Sequence, residues 1–324
     1  MYRADRFSPI TRPNRTPAIA TSVALTIVAI VTACISHDKK KVDTTVATQP
    51  PAVVTPDTSV VVASGELEPA PVTFASAQAA YSQRKYAEAV QSFGVYVERH
   101  PKNSYGYYML GLSAWKAGDL DRAREALEQS LALDSTNVRT LLNLGRVNLE
   151  QGNAEDAFRH VEAAVTLDST SAEVHRMRGR VQSALGRRDA AEVSYRLALS
   201  IDPTDSWSMN NLGLLLIDEG RFDEALGPLA RAVELRPEAP AFANNLGVAL
   251  ERTGHPGSAA IAYQAALSAD STYAKAQTSL ERVYGMPDEM PIDVAQVAAQ
   301  FKDSLESASQ LRLSVKSTAV KPEP

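Results

Sequence analysis

Between Leu212 and Ala225 the chain reads Leu-Gly-Leu-Leu-Leu-Ile-Asp-Glu-Gly-Arg-Phe-Asp-Glu-Ala, and the small residues in this stretch recur every 34 positions. Gly213 belongs to the series Gly111, Gly145, Gly179, Gly213 and Gly247. Gly220 belongs to Gly118, Gly152, Gly186, Gly220 and Gly254, and Ala225 to Ala89, Ala123, Ala157, Ala191, Ala225 and Ala259. Three registers of small residues held in step over such a length mark one structural unit copied in tandem. Larger apolar residues keep the same register, at Leu110, Leu144, Leu212, Leu246 and Leu280 and at Phe93, Leu127, Val161, Tyr195, Leu229 and Tyr263.

The pattern resembles the tetratricopeptide repeat, whose signature is Trp-x2-Leu-Gly-x2-Tyr, then Ala-x3-Phe, then Pro, in 34 residues. Six copies fit: 70–103, 104–137, 138–171, 172–205, 206–239 and 240–273. The resemblance implies an all-α fold, a right-handed α-α superhelix of six helical hairpins with a capping helix over 274–284. In each copy the first glycine and the alanine remove bulk where helices A and B cross. The second glycine follows helix A, where a left-handed cap suits only glycine without strain. Pro101, Pro203 and Pro237, or Ser135, Ser169 and Ser271 in the same slot, end helix B. Pro256 suits the first turn of a B helix, and Pro228, deeper inside one, is expected to bend it. Repeat four departs from the pattern. Arg178 stands in a leucine slot and His175 in the buried-type slot before it, either as drift with both side chains reaching solvent or as a polar groove contact or weak joint.

The ends are of other kinds. Arg3, Arg6, Arg12 and Arg15 precede the uncharged 16-residue run Ala18 to Ala33, the basic and apolar regions of an export signal. A spanning helix needs about 20 residues. The run ends in Val31-Thr32-Ala33-Cys34, which resembles the lipobox of bacterial lipoproteins; an uncleaved anchor or an ordinary secretory signal are the other readings. The resemblance implies a signal over 1–33 and lipidation of Cys34, the only cysteine. Ile35 in place of an aspartate implies sorting to the outer membrane, facing the periplasm. Buried acyl methylenes contribute about 0.8 kcal/mol each, so two or more chains hold a soluble domain at a bilayer. Residues 34–69, with Pro50, Pro51, Pro56 and Pro69 and no helical period, read as a disordered tether reaching on the order of 115 Å when extended. After the 70–284 array, residues 285–324 are expected to hold a helix over 292–306, with Val294, Val297, Ala298, Phe301 and Leu305 on one face, and a loose tail from 310. That helix either docks back on the array or offers itself to a partner.

Composition narrows the function. A net charge of -5 from 33 basic and 38 acidic residues leaves no basic stripe, so nucleic acid is not an expected partner. One cysteine excludes a multi-thiolate metal site, and His37, His100, His160, His175 and His255 stand singly. No phosphate loop, His-Glu-x-x-His or nucleophile elbow occurs, so the chain is expected not to be an enzyme and to need no cofactor. In the family, positions 2, 5, 9, 12 and 13 of each repeat commonly face the inner groove. Carried over, these give Tyr105, Tyr108, Trp115 and Lys116, then Arg139 and Arg146, then Arg176 and Arg180, then Trp207, Asn210 and Asp218, then Asn244, Glu251 and Arg252. Asn143, Asn211 and Asn245 share position 6 and resemble the asparagine ladder of the O-linked N-acetylglucosamine transferase repeats, where amides grip a peptide backbone. Aromatic at one end and cationic in the middle, such a groove suits an acidic or C-terminal-carboxylate peptide. The resulting expectation is a protein-binding scaffold tethered to the bacterial envelope through its lipid, resembling in layout the lipoproteins of pilus and secretion machines. Binding of cell-wall fragments and self-assembly are the alternatives.

Overall fold

The computed structural model describes residues 72–290 and 292–319; Cys34 and the signal and tether expectations lie outside them. Fourteen α-helices and no strand occur among the described residues. Six hairpins follow in order: α1 (Phe74–Ser82) with α2 (Tyr86–Arg99), α3 (Ser104–Ala117) with α4 (Leu120–Leu133), and α5 (Val138–Glu150) with α6 (Ala154–Leu167). Then come α7 (Ala172–Ala184) with α8 (Arg188–Ile201), α9 (Ser206–Asp218) with α10 (Phe222–Leu235), and α11 (Pro240–Arg252) with α12 (Pro256–Ala269). Helix α13 (Ala274–Val283) covers the last hairpin, and α14 (Val294–Ala319) returns along the array. Successive A helices touch one another whereas B helices do not. The stack therefore curves with α3, α5, α7, α9 and α11 on its inner wall, giving the right-handed superhelix of this architecture.

The two glycine series behave as their spacing demands. A Cβ built on Gly111 would fall 2.6 Å from the Leu127 side chain, and one on Gly247 2.5 Å from the Tyr263 ring. Gly118 has φ +86 and nothing beside it, so there the backbone, not space, requires glycine. In the first repeat that place is taken by Arg84, the one non-glycine residue with positive φ (60) among the described residues.

Helix ends follow local chemistry. Asn103, Asn137, Ser171 and Asp205 cap four A helices by accepting the backbone N–H three residues on. The connections from B to A carry a repeated turn in which Asp134, Asp168, Asp202 and Asp270 each accept both the N–H and the hydroxyl of the threonine two residues later. The Pro or Ser slot lies inside this connection, after helix B has already ended. Helix α10 runs as one element through the buried Pro228.

Repeat four is not the expected solvated irregularity. His175 is buried, with Nε2 2.9 Å from the Ser169 carbonyl oxygen, and Arg178 donates bidentately to Glu162 on α6 at 2.6 and 3.1 Å. Both side chains face the preceding repeat rather than the groove, because the planar guanidinium of Arg178 finds a carboxylate on the adjacent helix and pairs with it bidentately. The buried apolar residues form three clusters, over α1–α5, α5–α7 and α8–α14. The break between α7 and α8 falls inside repeat four. There Gly179 meets the Tyr195 ring, Ala191 and Ala198 of α8 are buried, and two polar bonds cross: Ser194 to Gln182 (2.6 Å) and Ser183 with Tyr195 (3.4 Å).

The C-terminal helix is longer than its apolar face suggested. It continues to Ala319, through much of the stretch expected to be loose. Its docking, one of the two expected outcomes, is on the outer face, against α10 and α8. Ala298 is buried, Phe301 lies against Gly227, and Val294 and Val297 meet Leu226, Ala230, Leu246 and Leu250. The connection before it is pinned to the start of α12. Asp288 accepts the N–H groups of Gly257 (2.6 Å) and Ser258 (3.0 Å) and the Ser258 hydroxyl (2.6 Å).

Candidate peptide-binding groove

The inner wall presents side chains from one face of each A helix, and 34-residue copying brings equivalent positions of neighbouring repeats side by side. Three bonds span 35 residues for this reason: Asn143 Nδ2 to the Tyr108 hydroxyl (3.2 Å), Trp115 Nε1 to Glu150 (2.7 Å), and Asn245 Nδ2 to Asn210 Oδ1 (2.9 Å). Helices α3, α5, α7 and α9 enclose a cavity of about 530 Å³ lined by Trp115, Lys116, Arg146, Glu150, Arg176, Arg180, Trp207 and Asn211. Seven of the residues expected from the repeat register therefore meet in one place. Glu150, which the register did not select, completes it.

Charge in this cavity is unevenly paired. Arg146 donates to Asn143 Oδ1, lies 3.5 Å from Glu173, and stands 5.2 Å from the Trp115 ring centroid. Arg176 donates to the buried Asp205 at 2.6 Å, and Asp205 in turn accepts the Ser208 hydroxyl. Among the described residues Arg180 makes no ion pair, and its one side-chain bond is to the Met177 sulfur at 3.8 Å. Burial, reinforced by the neighbouring Arg146 guanidinium, pushes its pKa below the ordinary arginine value, although an arginine stays protonated. Its charge is thus held in a partly desolvated place, offset only in part by the Glu150 carboxylate in the same wall.

The other expected residues sit elsewhere. Tyr105 is half exposed and stacks on Tyr108 at 5.8 Å, with Phe74 beyond it at 5.5 Å, an aromatic pad nearer the array's start. Burial raises the Tyr108 pKa. Arg139 is exposed on α5, and its carbonyl accepts from Asn143 at 2.9 Å. Asn210 and Asn244 are buried, and Asn244 Nδ2 lies 3.5 Å from Asn245 Oδ1. The expected asparagine ladder is thus spent differently. Asn143 and Asn245 tie adjacent A helices together, and Asn211 alone of the three makes no bond within the protein among the described residues. Glu251 is also diverted, accepting two bonds from Arg282 of α13 (2.7 Å each) and one from Tyr263 (2.9 Å). Beside the cavity lies a smaller chamber of about 320 Å³ that shares Arg180 and Asn211 and is floored by Leu149, Leu214 and Leu215, with Asp218 at its edge. Arg180, Asn211 and Asp218 were expected from the repeat register, and Leu214 stands at its ninth position; Leu149 and Leu215 fall outside it. The leucines become a floor only when α5 and α9 are brought together.

Stacked hairpins, two glycine registers and an inner wall of A helices define the class, and the sequence profile described as Tetratricopeptide repeat matches residues 74–138, 108–172, 142–206 and 210–283. The chain belongs to the tetratricopeptide repeat family. Among solved structures it is similar to the protein titled MamA, at 27% identity over 51% of this chain and 97% of that one with a TM-score of 0.43. It is similar to a tetratricopeptide repeat protein from Parabacteroides merdae ATCC 43184, at 15% identity over 64% and 82% with a TM-score of 0.56. It is also similar to a chain of the APC/C hetero-tetramer Cut9-Hcn1, at 18% identity over 64% of this chain and 41% of that one with a TM-score of 0.58. The last two likenesses concern the fold. No curated protein sequence matches the chain.

Proposed function

We propose that this protein is a non-catalytic scaffold that holds an extended, acidic segment of a partner protein along its inner wall. The supporting observation is the cavity in which two tryptophans and three arginines from four A helices converge, with Arg180 in no ion pair among the described residues. A carboxylate entering it would gain charge-assisted hydrogen bonds worth about 1.5–3 kcal/mol each, and the indole faces would cover apolar surface around it. The chain's only two tryptophans both line this cavity. Intrinsic emission therefore reports occupancy of the site without labels. Acidic peptides are expected to shift it and basic peptides of equal length are not. A response to muropeptides with none to peptides would instead favour a role in binding cell-wall fragments.

The same proposal places the array at a bacterial membrane through lipidated Cys34, on the outer membrane's periplasmic side, as a part of an assembly of pilus or secretion type. The observation behind it is the lone cysteine at the end of an apolar, Arg-preceded run. Metabolic labelling with a clickable fatty acid should mark the wild type and not Cys34→Ala; label that persists in the variant would remove the anchor from the proposal.

A further inference from the structure

Repeat six differs from the others on its outer face. Its helix α12 is the one B helix of the array without a charged residue. Ile261 is 73% exposed there, with the exposed Gln264, Ala265 and Ser268 on the turns that follow. The counterpart of Ile261 two repeats earlier, Val193, is 65% exposed as well, but it shares its face of α8 with Asp189, Glu192 and Arg196, and single apolar residues among charges are ordinary on a surface. Helix α14 packs on α10 and α8 and leaves α12 bare beyond its first turn, where Asp288 is bound. The start of α14 lies over Leu246 and Leu250 of α11, the hairpin partner of α12, and carries no charge from Val294 to Phe301. Met286 and Met290, in the connection that leads to it, are exposed.

Loss of charge around exposed apolar and methionine side chains is the signature of an interface core, and shape indicates what covers this one. A helix packed on another stands about 8–10 Å above it, so α14 rises as a step beside the bare face of α12. A step is complementary to itself, because a two-fold axis along its edge lays α14 of each copy over α12 of the other. We propose that the outer face of α12 and the start of α14 form an isologous interface between two copies of this chain. Charge agrees, since identical surfaces set like charges against each other and neither segment carries any. A lipid surface fits less well. Of Lys275, Arg282 and Lys302, which flank the face in the chain, the last two already face Glu251 and Glu306, leaving little positive charge to attract anionic lipid. The 14 residues of α12 span about 21 Å, which puts the contact at the small end of specific interfaces, under about 1,200 Å² in total. Pairing is therefore reversible. It uses the outer face and leaves both inner walls open, and it does not rest on what the groove binds.

The full-length chain with a photo-cross-linking amino acid in place of Ala265, irradiated in the cells that produce it, reads the contact directly. The expected product has twice the chain's mass, with the cross-link mapped by mass spectrometry to residues 256–301 of the second copy. Adding Ile261→Glu should reduce that product about tenfold or more, because each pair would then bury two carboxylates. Circular dichroism should stay unchanged, since Ile261 is exposed. The cross-linker moved to the place of Val193 should give no such product. Absence of the doubled product, a cross-link outside residues 256–301, an equal yield with Ile261→Glu, or an equal yield from the place of Val193 would each overturn the inference. So would a product between the cross-linker at Ala265 and another protein or a lipid, which would give the face a different occupant.

Discussion

At the residue scale, glycine serves two unlike purposes in five of the six hairpins, and substitution separates them. Gly247 faces the fully buried Tyr263 ring, so Gly247→Val overpacks a rigid contact and is expected to cost about 1–3 kcal/mol or more. Gly118 meets nothing, and Gly118→Ala should cost only the strain of a left-handed backbone, about 1–2 kcal/mol. Arg84 already bears that strain at the equivalent place in repeat one. Arg84→Gly is therefore expected to stabilise the chain by about 1 kcal/mol, seen as a higher Tm; an unchanged or lower Tm would show that the arginine's other contacts outweigh its backbone. Both glycine roles were legible from spacing. The fate of Arg178 and His175 was not, because a polar residue in a leucine slot is resolved only by what stands opposite, here Glu162 and the Ser169 carbonyl.

At the scale of elements, α14 is seated on the outer face of repeat five. The outward places held by Arg124, Glu125 and Glu128 in repeat two are Leu226, Gly227 and Ala230 in repeat five, and a Cβ on Gly227 would lie 3.2 Å from Phe301. Repeats one and six also lack charge at these places, with Val90, Gln91 and Gly94 and with Ala260, Ile261 and Gln264, so the sequence narrowed the docking site and the tertiary structure chose it. Phe301→Ala should cost about 2 kcal/mol and raise amide exchange in α14 and α10, while exchange in α1–α4 stays as it was. The cap α13 depends on Glu251 instead. Arg282, aided by the Tyr263 hydroxyl and opposed by partial burial, holds the Glu251 carboxyl below its ordinary value. A depressed carboxylate stabilises the fold above its unfolded pKa of about 4.3, and that contribution is lost as pH falls through the lower folded value. The Tm difference between wild type and Arg282→Met should accordingly be present at pH 7 and shrink below about pH 4; a difference independent of pH would assign the cap's stability to packing alone.

At the scale of the whole molecule, the array is a chain of neighbours, so its cooperativity depends on each interface. The seam between α7 and α8 divides two apolar clusters, and Tyr195 against Gly179 is its largest apolar contact, with a few polar bonds beside it. Tyr195→Ala removes that ring, should cost about 3 kcal/mol, and is expected to split thermal unfolding into two transitions; a single sharp transition would show the halves to be coupled otherwise. The groove crosses this seam, since Arg146 stands before it and Trp207 after it. Reversing charge at both ends of the arginine row, Arg146→Glu with Arg180→Glu, should abolish capture of an acidic partner in a pull-down while leaving helicity unchanged. Retained capture would move the binding site away from the cavity.

By itself the sequence determined the hairpin, its 34-residue period, the number of copies and the inner-wall register, because these follow from where a close crossing or a left-handed cap tolerates only a small residue. The tertiary structure alone decided which inner-wall residues remain available. Side chains 35 positions apart become neighbours only when hairpins stack, and there Asn143, Asn245 and Glu251 are consumed by adjacent helices while Arg180 and Asn211 are left facing the cavity. Periodicity reports where a side chain points; pairing depends on what the next repeat places opposite it, and that is a property of the stack.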